Sequence, residues 1–199
     1  TVISTCLRVL EMETGKQKWI DKAQAQTEKL TALVNALVTL SRMDEGVSPL
    51  KMEPFSLSEA VADTAEPFRD LAQSKGHDLV LDIAPELTYK GDEYAIRQLV
   101  SILLDNAVKY ARAGSAITLT LEKTRRGIAL RCRNDSDPIP EETLAKLFDR
   151  FYRADPSRSA ATGGFGIGLS IARGIAEAHK GSICARMVGE EVEFAAELR

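Results

Sequence analysis

Residues 115–134 read SAITLTLEKTRRGIALRCRN, two runs of alternating apolar and polar residues on either side of a short basic turn. Ile117, Leu119 and Leu121 fall on one side of the first run, and Ile128, Leu130 and Cys132 on one side of the second. A period of two is that of a strand with one buried face. Arg126-Gly127 leaves no room for a crossover helix, so the two strands are expected to pair antiparallel. Leu79, Leu81 and Ile83 repeat the alternation upstream, and Val192, Phe194 and Ala196 repeat it downstream. Between these runs lie stretches of helical spacing at about 92–111, 141–148 and 167–179. The order predicts an α+β chain: an α/β sandwich with a mixed sheet covered by helices on one face, not a doubly wound parallel sheet.

Further toward the N-terminus, Ser56-Leu57-Ser58-Glu59 has the spacing of a capping box, opening a helix that Gly76 closes and Pro67 kinks or shortens. Gly46, Pro49 and Pro54 mark a boundary, so residues 47–55 are expected to be a linker and 56–199 one domain. Residues 1–46 carry helical stripes: Ile3, Leu7 and Leu10, then Trp19, Ile20, Ala23, Thr27, Leu30, Leu33, Val34, Leu37 and Val38, interrupted at Thr14-Gly15-Lys16. Two helices about a tight turn make an antiparallel hairpin. Its apolar stripe needs cover, either from a second copy as a four-helix bundle or from the rest of the chain.

Composition narrows the function. Twenty-six Lys and Arg against 29 Asp and Glu leave a formal charge of −3, which provides no basic footprint for nucleic acid. No apolar run reaches the roughly 18 residues of a membrane span. The chain opens at Thr1 rather than Met and reads as a fragment, whose upstream sensor or membrane segments would lie outside it. Cys6, Cys132 and Cys184 are odd in number and far apart, which points to a reducing compartment and to neither a disulfide framework nor a zinc site.

Four stretches carry chemistry. In Leu103-Leu104-Asp105-Asn106-Ala107-Val108-Lys109-Tyr110, the residues Asn106, Lys109 and Tyr110 share a helix face. An amide, an ammonium and a phenol converging there suit a metal ion, phosphate oxygens and a nucleotide edge; a solvated face would also explain them. Asn134-Asp135-Ser136-Asp137-Pro138-Ile139-Pro140 ends a strand in a polar turn, either a plain Asx turn or an acceptor for an exocyclic amine. Phe148 to Arg158 sets Arg150, Arg153 and Arg158 among aromatic residues, as in a lid over polyphosphate or an arginine-rich surface loop. Gly163-Gly164-Phe165-Gly166-Ile167-Gly168-Leu169-Ser170 leads into a helix, where bare backbone N–H groups approach phosphate. It matches neither GxGxxG nor a P-loop. His77 and His179 are read as structural, His179 preceding Lys180-Gly181 at a helix end.

In this order the motifs resemble the sensor histidine kinases of two-component systems over nearly the whole chain. The resemblance places Asn106 in the N box, 134–140 in the first glycine box, 148–158 in the F box and 163–170 in the second glycine box. It implies that 1–46 is the dimerisation and phosphotransfer hairpin of a homodimer, and that 56–199 is a Bergerat-fold ATP-binding domain with an ATP lid. It implies ATP and Mg²⁺ as cofactors and a response-regulator receiver domain as partner, with localisation to the cytoplasm as part of a membrane-anchored sensor. Asn106 would hold the magnesium ion. Lys109, Arg150 and Arg153 would meet phosphate, with Asn106, Lys109 and Arg150 the catalytic set. Tyr110, Asn134, Ser136, Ile139, Tyr152, Gly164, Gly166, Ile167, Gly168 and Leu169 would complete the nucleotide site, Asn134 standing where the family reads adenine with an aspartate. Three departures stand out: Ile102 replaces the first asparagine of the N box, Asn134, Ser136 and Pro138 replace Asp, Gly and Gly, and the acceptor histidine would fall shortly before Thr1. The first two leave open a second function, an ATP-binding pseudokinase that signals through dimer geometry.

Overall fold

The structure is a computed structural model that describes residues 2–14, 17, 19–27, 30–31, 34, 50–154 and 165–199. The chain forms two compact units, Thr1–Gly46 and Val47–Arg199. In the first, α1 (Val2–Thr14) is followed by helical backbone at 19–27, here α2. Gln24 Nε2 donates to Glu11 Oε2 at 3.2 Å and ties the two helices. Ile20 is buried, while Val2, Ile3, Leu10, Trp19, Leu30 and Val34 are exposed, so much of the stripe is uncovered. The turn at Gly15-Lys16 and the stripe residues Leu33, Leu37 and Val38 lie outside the described residues.

The second unit is a five-stranded sheet with helices on one face. Its strands are β2 (Asp78–Ile83), β4 (Ala116–Thr124), β5 (Gly127–Asp135), β6 (Ser182–Val188) and β7 (Glu191–Leu198), in the order β2-β4-β5-β7-β6. β2 and β4 are parallel and the other pairs antiparallel, so the mixed sheet expected from the alternating runs is present. A small second sheet pairs β1 (Glu53–Ser56) with β3 (Thr88–Gly91).

Register explains the core. Leu119, Cys132 and Phe194 stand in one row, as do Leu121, Leu130 and Ala196, all buried. Onto these pack α5 (Glu93–Tyr110), through Leu99, Leu103, Leu104 and Ala107, and α7 (Gly168–Ala178), while α3 (Leu57–Ala65) packs against α5 and β2. Each of the three leucines, fully buried, is worth roughly 1.5–3 kcal/mol. Cys132 belongs to this core: its Sγ lies 3.7 Å from the Leu103 carbonyl, and burial pushes the thiol up to about 12, which leaves it inert.

α5 is fixed at its start. Asp92 Oδ1 accepts from Ala95 N at 3.0 Å as the N-cap, and Asp92 Oδ2 accepts from Lys51 N at 3.0 Å. The Asp92 N–H donates to His179 Nε2 at 3.0 Å, while His179 Nδ1 lies 2.8 Å from the Ile175 carbonyl. Those contacts put the proton on Nδ1. His179 therefore bolts the end of α7 to the start of α5, the structural role read for it.

Three readings change. Residues 53–55, taken as the end of the linker, are strand, because Glu53–Ser56 finds a partner in β3. The capping box does not form: Ser56 makes no side-chain cap, and it is Ser58 that donates to the Ala84 carbonyl at 2.6 Å and accepts from Leu87 N at 2.9 Å. Pro67 divides the helix outright into α3 and α4 (Pro67–Ser74), where its missing N–H costs nothing at the first position.

Candidate functional site

A cavity of about 800 Å³ opens beside the C-terminal half of α5, ample for a nucleotide. Five α5 residues line it, Ile102, Asp105, Asn106, Lys109 and Tyr110, spaced as one helix face requires. The floor is apolar, Val192 and Phe194 of β7, joined by Ile139 and by Leu147 at the end of α6 (Glu141–Lys146). Tyr152, Arg153, Phe165, Gly166, Gly168 and Leu169 complete the wall. A flat apolar floor with a cationic rim suits a ring system carrying anionic groups.

Asn106 is half-buried, and among the described residues its amide has no hydrogen-bond partner. Lys109 Nζ donates to Asp105 Oδ2 at 2.5 Å, an i, i+4 pair with side-chain exposures of 33% and 48%. Arg112, just past α5, donates through Nη2 to the Ser136 carbonyl at 2.8 Å, and its N–H bonds the Asp135 carbonyl at 3.0 Å. These bonds hold the turn after β5 against the end of α5.

Asn134 sits just behind this wall. Its neighbour across the ladder, Val192, lines the cavity, as does Ser136 two residues on. Asn134 is 0% exposed; its Nδ2 donates to the Asp135 carbonyl at 3.0 Å and its Oδ1 has no partner. Leaving a buried acceptor empty costs about 1–3 kcal/mol. Among the described residues the other such atom is Nδ1 of His77, which lines no part of the cavity.

The opening is framed by strained backbone. Phe151, a non-glycine residue, has φ 62°, and its N–H donates to the Gly166 carbonyl at 2.9 Å. Gly166 has φ 71°, and a Cβ there would lie 2.7 Å from the Tyr152 carbonyl, so only glycine fits. Past it, α7 begins with Ile167 at the N-cap and no side-chain cap, leaving first-turn N–H groups uncommitted beside the cavity.

Of the residues picked from sequence, Asn106, Lys109, Tyr110, Ser136, Ile139, Tyr152, Arg153, Gly166, Gly168 and Leu169 all line this one cavity. Asn134 adjoins it, and Ile167 is buried at the start of α7. Arg150 is exposed and is not part of the wall. Gly164 lies outside the described residues. Sequence reading missed Asp105, Arg112, Thr143, Leu147, Val192 and Phe194 as wall residues. Asp105 was within reach, since it stands four before Lys109 on the same face.

Residues 91–199 match the model of the histidine kinase-, DNA gyrase B- and HSP90-like ATPase family. The chain belongs to that family. Its relatives are sensor histidine kinases: it is 31% identical over 192 residues to the sensor protein DltS of Streptococcus agalactiae, covering 96% of this chain and 48% of DltS. It is 33% identical over 162 residues to the histidine-protein kinase BaeS of Escherichia coli, covering 81% of this chain and 35% of BaeS. The chain thus spans half or less of these relatives. In fold it resembles the catalytic domain of the histidine kinase ThkA, with TM-score 0.65 and 26% identity over 73% of this chain and 93% of that one. It also resembles the histidine kinase AdeS of Acinetobacter baumannii, with TM-score 0.72 and 23% identity over 99% of this chain and 93% of that one. Residues 91–199 thus carry the ATP-binding fold of that family, similar to that of sensor histidine kinases, and the α+β fold is the one expected.

Proposed function

We propose that this chain is the catalytic region of a sensor histidine kinase, which binds Mg-ATP and passes the γ-phosphoryl group to a histidine for relay to a response-regulator aspartate. The observation that carries the reading is an unpartnered amide at Asn106 on the wall of one cavity, with a buried acceptor that lacks a partner at Asn134 just behind that wall. The lack of a partner at Asn134 Oδ1 supports reading it as the acceptor for the adenine amine. The apolar floor takes the ring, and Lys109, Arg153 and the first turn of α7 take the phosphates. The donor set fits magnesium: a hard cation prefers oxygen ligands, and Asn106 presents one with no competing bond. Magnesium, when bound, would neutralise charge on the phosphate oxygens; the chain's own groups position the triphosphate and exclude water.

The first unit is read as the hairpin of a homodimer, residues 47–52 as the linker to the catalytic domain, and the intact protein as a membrane-anchored sensor with this region in the cytoplasm. The exposed apolar residues of α1 and α2 support the dimer. A solved complex of ThkA with the response regulator TrrA, 22% identical to this chain, supports a receiver-domain partner. Among the described residues no helix is long and apolar enough to cross a membrane.

The chain has two histidines, His77 and His179, with exposures of 6% and 0%. Their burial supports an acceptor supplied from outside this chain. Titration calorimetry with Mg-ATP, followed by labelled ATP and a helical peptide carrying an acceptor histidine, tests the reading. Binding followed by label on the peptide and none on this chain is expected, and absence of binding overturns it. Ile102 on the cavity wall favours one alternative, a nucleotide-binding pseudokinase. Binding without transfer to any acceptor would mark that one.

A further inference from the structure

Ile102 lies one turn before Asn106 on the cavity face of α5 and brings only a hydrocarbon side chain to it. A single neutral amide is a weak claim on a hard dication, which prefers anionic oxygen. Among the described residues two carboxylates line the cavity, Asp105 and Asp137. Asp137 faces Arg112 at 3.8 Å and is largely exposed, on the turn after β5 rather than on α5. Asp105 is the residue next to Asn106, and its carboxylate is engaged by Lys109 at 2.5 Å.

That pair has a consequence for binding. Lys109 cannot give its full charge to a phosphate while Asp105 holds it, and once it turns away an uncompensated carboxylate faces the incoming polyanion. A metal-free nucleotide meets that repulsion directly, whereas a nucleotide carrying a dication finds the same carboxylate attractive. Resting on the site reading above, we infer that Asp105 makes nucleotide binding by this chain metal-dependent. It clamps Lys109 across one turn of α5 and supplies, beside Asn106, the anionic oxygen that Ile102 does not.

The test is a coupling measurement, the ratio of ATP Kd in EDTA to ATP Kd in saturating Mg²⁺, taken by calorimetry for the full chain with melting temperature as the check on folding. Asp105→Asn and Asp105→Ala should each lower the ratio about tenfold, within the usual span of site couplings. The drop should come from both ends, tighter binding without metal and weaker binding with it. With Mn²⁺ in place of Mg²⁺, electron paramagnetic resonance should show more free Mn²⁺ at equal nucleotide in Asp105→Asn. Ile102→Asn added to Asp105→Asn should recover part of the ratio. If Asp105→Asn tightens both forms equally and the ratio stands, Asp105 is merely a counter-ion and the inference is overturned. Were the wild type to ignore Mg-ATP, or Asn106→Ala to keep full metal dependence, the site reading itself would fail instead.

Discussion

At its N-terminal end α5 starts from Asp92, whose carboxylate accepts from Ala95 and Lys51 while its N–H donates to the buried ring of His179. At the C-terminal end, Asn106 carries an amide with no partner among the described residues, and Asn134 behind it buries an oxygen with none. The first arrangement is how a helix is anchored: every polar group taken out of water is repaid by a bond. The second lowers stability unless something else supplies the missing donor. One helix thus divides its labour, with the polar groups that hold the fold completed internally and those that take a ligand left incomplete.

The largest break in that contrast comes from Asn106→Ala. Mg-dependent ATP affinity should fall at least about a hundredfold, or ~2.7 kcal/mol, while the melting temperature stays put because no internal bond is lost. Calorimetry and thermal melting on one sample decide it, and an unchanged affinity would mean that the metal role is misplaced. His179→Leu should do the converse. The Asp92 N–H would be left buried without an acceptor, at a cost of about 1–3 kcal/mol in denaturant unfolding, and the folded fraction should bind nucleotide within about twofold of wild type. A large affinity loss there would show that the two ends of α5 are not separate in function.

The sequence made the helix legible more readily than the vacancy. Asn106, Lys109 and Tyr110 share a face by the period of the helix, and β4 and β5 declare themselves by strict alternation. β3 is four residues long, and β6 (SICARMV) is an edge strand whose polar side is broken by Cys184 and whose other side is only half-buried, so neither stood out. Irregular segments have no period at all. Nothing in FDRFYRADPSR could tell that Tyr152 and Arg153 face the cavity while Arg150 does not, because that depends on the positive φ of Phe151. The emptiness of Asn134 Oδ1 is a fact of three dimensions: an Asx turn and a ligand acceptor have the same sequence.

Asn134→Ala sharpens the contrast from within the site. It removes one hydrogen bond, Nδ2 to the Asp135 carbonyl, but also relieves an acceptor that has no partner. The two changes offset, so stability should move by less than about 1 kcal/mol. ATP affinity should fall about tenfold, ~1.4 kcal/mol, and inosine triphosphate, whose ring lacks the exocyclic amine, should bind both variants alike. A drop of equal size for the two nucleotides would move Asn134 from reading the base to merely supporting the wall.

Glu193 gives the smallest effect and the cleanest control. It lies between Val192 and Phe194, both on the cavity floor, yet alternation turns its side chain to the opposite face of the sheet, where register sets it between Arg133 and Arg186. Its side chain is wholly buried, and Arg186 Nε donates to it at 2.7 Å with Arg133 Nε on the other oxygen. Burial alone would raise this carboxyl, but the hydrogen bonds and charges of the two guanidiniums outweigh it and hold it below the usual carboxylate range. A depressed value in the folded state means that the stabilisation is present above the unfolded carboxyl's value, roughly 4.3, and is lost as pH falls through the lower folded one. Glu193→Gln should therefore flatten the acid limb of stability below about pH 5, measured as urea midpoint against pH, and leave ATP affinity where it was. If affinity fell with it, position beside the cavity would matter more than completeness of bonding, and the division of labour along α5 would not extend to the sheet.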